Sequence, residues 1–297
     1  MVKNTPALIF NNLIFQIYLP AFRYNGVIDT DEILTNEKKR IFFNAVLTRR
    51  PKKINKAIWI THNWTDAYYH WFIDALPRML MAEEYANVNN PIILPDYYKD
   101  ITFVQQSLAI LKKNVVYYES GIPYWIKQLI ITKHAAPIGS ANPKLINQLS
   151  NILSLKTNKN PNRFIFVSRK KAKKRFIINE QELNVLFASL GIEVHCFEDY
   201  TLNQQIQLMA ECKLLIGLHG AGLTNMLFMP EKAVIVELRN DEKAPYNHCY
   251  KQLANALGHS YFEYIADTTI TENEYNIRVN VRELEIKLNK IINGNCN

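Results

Sequence analysis

Three stretches of this chain hold residues able to do chemistry. The first is THNWTDAYYHWFIDALPR, Thr61 to Arg78, in which His62, Asp66, His70 and Asp74 recur every fourth residue. On a helix that spacing makes His70 and Asp74 direct neighbours on one ridge. An imidazole beside a carboxylate is a proton-handling pair, and as a general base toward a hydroxyl it contributes roughly 10²- to 10⁴-fold. Asp74 ranks first for that role and His70 second. His62 and Asp66 rank lower, because Asn63 to Thr65 reads as a loop entering the helix. Pro77 should kink or end the helix, presenting Arg78 at the break as a ligand contact or a surface ion pair. The aromatics Trp64, Tyr68, Tyr69, Trp71 and Phe72 stand at helical spacing and read mainly as core, with one or two able to stack on a ligand.

The second stretch, LLIGLHGAGLTNMLFMPEKAVIVELR from Leu214 to Arg239, reads as strand, glycine-rich turn, short helix and strand. Gly217, Gly220, Ala221 and Gly222 let a ligand approach the backbone where a helix start exposes unpaired N–H groups, a place that favours negative charge. His219, between Leu218 and Gly220, has little side-chain company and suits hydrogen bonding to a phosphate or a sugar. Asn225 follows one turn later, and the buried-type strand Ala233 to Leu238 brings Glu237 to the carboxyl edge where α/β sheets bind ligands. The third stretch is SRKKAKKRFIIN. Ser168 and Arg169 close a strand and emerge at the same edge, where a guanidinium can grip phosphate oxygens with two parallel hydrogen bonds. Arg175 follows six residues on, and Lys170, Lys171, Lys173 and Lys174 between them read as a solvated loop.

The elements that must position these residues follow from pattern and punctuation. After the polar connector Ser154 to Arg163, strands at 163–168, 192–197, 214–218, 233–238 and 260–264 alternate with helices at 180–190, 202–212 and 247–257, which predicts a parallel, doubly wound sheet. Asn179 with Glu182, and Thr201 with Gln204, have capping-box spacing, and Gly191 and Gly258 stand where helices stop. Before the connector, strands at 57–60, 91–94 and 128–132 and helices at 69–87 and 103–111 predict a second α/β domain. The expected boundary separates residues 1–157 from 158–297.

HWFIDALPRML at His70, FVSRKKAKKRFIINEQEL at Phe166 and GLHGAGLTNMLFMPEKAVIVEL at Gly217 together resemble glycosyltransferase family 61. The resemblance covers most of the chain from about Trp59 on, and the first sixty residues match nothing assignable. It implies a GT-B-like α/β fold of two Rossmann-like domains facing a cleft, with a nucleotide-sugar donor and metal-independent transfer that inverts the anomeric carbon. It also implies a glycan or lipid-linked glycan acceptor, as in capsular polysaccharide and lipopolysaccharide synthesis. The N-terminal domain would then take the acceptor, with Asp74 and His70 catalytic and Arg78 on the acceptor side. The C-terminal domain would take the nucleotide diphosphate on Arg169, Arg175, His219, Gly220, Ala221, Gly222 and Asn225, with Asn225 reaching the donor or pinning the turn. Glu237 would accept from the ribose hydroxyls. No cofactor is expected besides the nucleotide sugar, and no metal.

Composition bounds the alternatives. The 297 residues, 48% hydrophobic, suffice for two domains. The net charge of +8 and pI near 9.1 point to an anionic partner. The basic residues form no aromatic-interleaved stripe, which argues against nucleic acid and leaves diphosphates or peripheral contact with a membrane. The apolar N-terminus is interrupted by Asn4, Asn11, Asn12 and Gln16, and makes neither a signal peptide nor a spanning helix. The expected location is cytoplasmic, possible contact being with the inner face of the membrane. Cys196, Cys212, Cys249 and Cys296 show no paired spacing and read as reduced thiols. Asp29 to Asp31 is the one DxD-like triplet and lies where no element can be assigned. The rival reading is a metal-dependent hydrolase with His62, Asp66, His70 and Asp74 as ligands. An acyltransferase using His70 and Asp74 would leave Arg169 and the glycine turn without a role.

Overall fold

The computed structural model describes residues 2–11, 13–16, 21–24, 36–86, 90–155, 160–172, 174–240, 248–271 and 274–294. Asp29 to Asp31, Lys173, Cys296 and residues 156–159 of the connector lie outside them, and so do the expected helix ends Asn87 and Asn247. The chain divides into two compact units, Met1–Pro137 with Ala141–Leu153 and Ile138–Ser140 with Ser154–Asn297, against an expected boundary at 157/158.

The first unit runs β1 (Val2–Phe10), β2 (Leu13–Gln16), β3 (Ala21–Tyr24), α1 (Asn36–Thr48), β4 (Lys52–Trp59), α2 (Tyr68–His70), α3 (Leu76–Ala86), β5 (Ile92–Pro95), α4 (Thr102–Ile110), β6 (Val115–Tyr118), β7 (Tyr124–Thr132) and α5 (Pro143–Leu153). Its sheet has the order β3-β2-β1-β7-β4-β5-β6. Strands β7, β4, β5 and β6 are parallel neighbours, as expected of an α/β domain. The sheet is not wholly of that kind, because β1, β2 and β3 extend it as an antiparallel meander that pairs onto β7. Ala7, Ile9, Ile14, Trp59, Ile126, Leu129 and Ile131 form a shared core, so the meander is built on the same apolar surface as the parallel strands.

The second unit runs β8 (Arg163–Val167), α6 (Glu180–Ser189), β9 (Ile192–His195), α7 (Leu202–Ala210), β10 (Cys212–Leu218), β11 (Val234–Arg239), α8 (Cys249–Leu257), β12 (Ser260–Ile265), β13 (Asp267–Thr271), β14 (Glu274–Arg278) and α9 (Val281–Ile292). The five parallel strands take the order β12-β11-β10-β8-β9. The chain leaves β8 for β9 on one side and returns to β10 on the other, so the switch point of the doubly wound sheet lies between β8 and β10. In β10 and β11 the apolar run is buried on both faces, as interior parallel strands require.

Capping follows the sequence in part. Thr201 and Gln204 form the reciprocal capping box of α7, and Gly258 ends α8 in the left-handed conformation at φ 72°. Asn179 does not cap α6. Its side chain instead accepts from Val279 N–H and donates to Val279 O, tying the helix start to the segment before α9. Cys196 and Cys212 are free thiols, as expected.

Candidate active site

In the first unit the helix expected at 69–87 runs from Tyr68 to Ala86, but Pro77 does not end it. A π turn spans Trp71 to Ala75, where the N–H of Leu76 bonds back to Trp71 O, and the α form resumes with Pro77 in the first turn of α3. The wide turn carries Asp74. Such insertions are uncommon in helices and concentrate at functional sites.

Asp74 Oδ2 meets two imidazoles, His70 Nδ1 at 2.6 Å and His62 Nε2 at 3.3 Å. The Trp64 N–H approaches His62 Nδ1 at 3.4 Å, so the hydrogen bonding assigns His62 its proton on Nε2, facing the carboxylate. His70 gives its Nδ1–H to the same oxygen, and its Nε2 has no hydrogen bond among the described residues. Burial alone would raise the Asp74 carboxyl, but hydrogen bonds from His62 and His70 outweigh it and hold it down at about 2. A carboxylate so stabilised is a poor proton acceptor. It is well suited to orienting two rings and to balancing the charge of whichever takes a proton.

His62 belongs to the cluster, against the low rank its loop position suggests. The loop is a built turn: Thr65 Oγ1 donates to His62 O, accepts from His62 N–H and meets the buried Tyr98 hydroxyl at 2.8 Å. It also follows the carboxyl end of β4, while His134, which no sequence signal singles out, follows that of the adjacent β7. Their rings lie 5.3 Å apart.

Arg78 requires a correction. Neither a ligand contact nor a surface ion pair, it is fully buried and spends its guanidinium on strand ends. Nη1 donates to Ile60 O and Thr61 O, Nη2 to Thr132 O and Nε to Thr132 Oγ1, at 2.8 to 3.1 Å. It thereby holds the carboxyl ends of β4 and β7 together beneath His62 and His134.

His62, His70 and Asp74 are also a set that could hold a metal ion, their ligand atoms lying within 4.8 Å of one another. Asp66 is exposed and outside that group, so the four-residue ridge of the hydrolase reading does not form. Metal at His62 Nε2 would shift that ring's proton to Nδ1, against the Trp64 N–H.

In the second unit the candidate residues meet at the switch point. Arg169 follows β8 and His219 follows β10. A Cβ on Gly220 would overlap the Arg169 guanidinium, so the glycine lets that side chain lie against the turn. Arg169 does not present the two-bond grip expected of it. Its Nε and Nη2 donate to Arg175 O (3.1 Å) and Lys174 O (2.9 Å), leaving Nη1 against the glycine turn. Arg175 sits at φ 62°, a costly conformation for a residue with a Cβ. Burial, and then the charge of Arg175, pushes the Arg169 guanidinium down from its usual value. A partly buried cation held near a second cation creates a place for an anion. Lys171 is spent on Asp199 at the surface.

Glu237 is corrected too. Glu237 is fully buried, with Oε1 paired to His219 Nδ1 and Oε2 accepting from the Tyr261 hydroxyl, so it stands behind the histidine and has no face for a ribose. Burial, and then the Glu237 charge, raises the Tyr261 hydroxyl and keeps it a donor. With Nδ1 committed, His219 has Nε2 left for a ligand, and Tyr250 packs edge-on to its ring at 5.1 Å. Asn225 is buried and donates to Gly222 O at 3.1 Å, pinning the turn rather than reaching outward. The segment Ala221–Phe228 is a 3-10 helix, not the α-helix its start suggests. Gly222 is required by packing, since a Cβ would lie 2.7 Å from Val167 Cγ1. Tyr250 and Tyr261 carry no sequence signal, because both sit in ordinary amphipathic or alternating patterns.

These two clusters fall within or flank the stretch matched by a known family, described as Glycosyltransferase 61, over residues 68–236. The chain belongs to glycosyltransferase family 61. It is similar to the EGF domain-specific O-linked N-acetylglucosamine transferase of Drosophila melanogaster, 38% identical over 102 residues that make 33% of this chain and 19% of that protein. The Gallus gallus protein of that name is 36% identical over 92 residues, 29% of this chain and 17% of its own. The Xenopus laevis protein is 43% identical over 58 residues, 20% and 10% respectively. The aligned stretch thus spans less than a fifth of each of these relatives.

Proposed function

We propose that this chain is an inverting, metal-independent glycosyltransferase that moves a sugar from a nucleotide-sugar donor to a hydroxyl of its acceptor. The observation that carries this reading is the Arg169 guanidinium lying against the Gly220 turn at the switch point of the second unit, with the charge of Arg175 acting on it and His219 next to that glycine. Fixed cations there would stabilise a departing diphosphate, usually the largest electrostatic contribution to such a transfer. His219 Nε2 would donate to a phosphate oxygen when its ring is protonated, with Glu237 and Tyr261 fixing the ring from behind. The backbone N–H groups after Gly220 supplement them.

The base is His70. Asp74 holds its Nδ1–H, so Nε2 keeps the lone pair that takes the acceptor proton, and the carboxylate balances the imidazolium that results. This reverses the order expected from sequence, for the reason that Asp74 is already doubly hydrogen-bonded. A GT-B-like fold is part of the proposal.

The relatives transfer N-acetylglucosamine to EGF domains, as their name states, which makes nucleotide-activated N-acetylglucosamine the first donor to test. They lend no support to a role in capsule or lipopolysaccharide synthesis. A lipid-linked glycan acceptor at the inner face of a membrane stays within the proposal on the strength of the basic excess alone. No described helix is long and apolar enough to cross a bilayer. The test is mass-spectrometric detection of transfer from a panel of nucleotide sugars in EDTA, with Asp74→Asn and His219→Ala as controls. Transfer that needs an added divalent cation would overturn the metal-independent mechanism.

A further inference from the structure

Of the four tryptophans, Trp59 and Trp71 are fully buried, whereas Trp64 is 54% exposed. Its indole lies 5.6 Å from the His70 ring at an interplanar angle of 39°, and 6.0 Å from His62. It is exposed without being loosely held. Trp64 O accepts from Ala67 N–H at 3.0 Å, its N–H meets His62 Nδ1, and the next residue is the buried Thr65 that locks the turn onto Tyr98. A large apolar ring kept in water on an ordered turn, beside the one open imidazole nitrogen of the cluster, is costly unless something covers it.

We propose that Trp64 is the stacking platform for a pyranose ring of the acceptor. The inference rests on the transfer reading above and deepens it by naming the acceptor class as carbohydrate. A pyranose has an apolar C–H face and hydroxyls at its rim. Laid flat on the indole, it brings a rim hydroxyl toward His70 Nε2. A serine or threonine hydroxyl of a polypeptide offers no such flat face and gains nothing from an indole at this position. The donor sugar has the same chemistry, but the unit that carries the base is the one that must hold the nucleophile. Trp64 therefore selects the acceptor and positions it, while His70 moves the proton.

The test uses the full chain with methyl glucoside, methyl galactoside and methyl mannoside as probes and acceptors. The Trp64 indole N–H resonance, assigned by its loss in Trp64→Phe, should move on titration with at least one of them. Trp64→Leu should raise the KM for that glycoside roughly tenfold, the order expected for loss of one aromatic contact, with kcat little changed. Trp64→Tyr should recover most of the loss. A resonance unmoved by every glycoside, an unchanged KM in Trp64→Leu, or a loss seen only in the KM for the nucleotide sugar would overturn the proposal. So would a response to an EGF-like peptide with none to glycosides. Failure of the transfer reading shows separately, as absence of nucleoside diphosphate binding in the wild type.

Discussion

Replacing Asp74 by asparagine should cost both stability and activity, and the pH dependence of the stability loss is set by the cluster. In the folded chain this carboxyl lies at about 2 against an ordinary value of 3.8, despite burial that by itself would raise it. A folded value below the unfolded one means that ionised Asp74 stabilises the native state above pH 3.8, and that the contribution is lost as pH falls toward 2. The gap corresponds to about 2 kcal/mol near neutrality. The amide keeps the shape of the carboxylate but cannot balance two imidazoles. Asp74→Asn should therefore be less stable by about that amount near neutral pH, and the difference should close as the pH falls from about 4 to about 2. All four tryptophans lie in the first unit, so their fluorescence during chemical denaturation reports on the unit that holds the cluster. The kcat should fall between roughly 10²- and 10⁴-fold, because His70 loses the group that fixes its Nδ1–H. A variant as stable as the parent at neutral pH, or a difference that persists unchanged at the acid end, would refute the assignment of Asp74 as the carboxylate shared by His62 and His70.

Other outcomes test other parts of the account. Gly220→Ala should weaken nucleoside diphosphate binding at least about tenfold while leaving the thermal midpoint nearly unchanged, since φ at Gly220 is extended and the new Cβ collides with Arg169 alone; titration calorimetry decides. Arg78→Met should destabilise the first unit by at least about 3 kcal/mol, because it takes the guanidinium away from the buried carbonyls of 60, 61 and 132, and a variant of full stability with a raised acceptor KM would restore the ligand-contact reading. Glu237→Gln should reduce kcat/KM roughly 10- to 100-fold, with Tyr261→Phe milder, in line with loss of a group that orients a binding histidine. Thr201→Ala, outside either cluster, should cost about 1 kcal/mol of stability through its capping box and leave transfer unchanged.

The second unit is readable from sequence because its signals are local and repeated. Apolar β-branched runs, a glycine turn and capping residues recur in strand and helix order, and each strand end marks the edge where Arg169 and His219 emerge. The antiparallel meander of β1 to β3 is not readable, since it joins the sheet through β7, more than a hundred residues away, and carries Asn and Gln that break the alternation. A similar separation hides Arg78. Its partners Ile60, Thr61 and Thr132 are neighbours only once β4 and β7 pair, and a lone arginine after a proline looks the same whether it faces solvent or strand ends. Glu237 reaches the edge its strand predicts but plays another role, because sequence shows that a carboxylate arrives there and cannot show that His219 and Tyr261 already occupy both of its oxygens. His62 is underrated by sequence for a related reason: its loop is ordered by Thr65 and Tyr98, a contact across thirty-three positions.

The most direct test of the central claim is titration of the wild type, Arg169→Met and His219→Ala with a series of nucleoside diphosphates in EDTA. The account predicts that the wild type binds at least one of them without any divalent cation and that each variant loses at least about tenfold in affinity. Binding that appears only when manganese or magnesium is added, or that is indifferent to both substitutions, would contradict it.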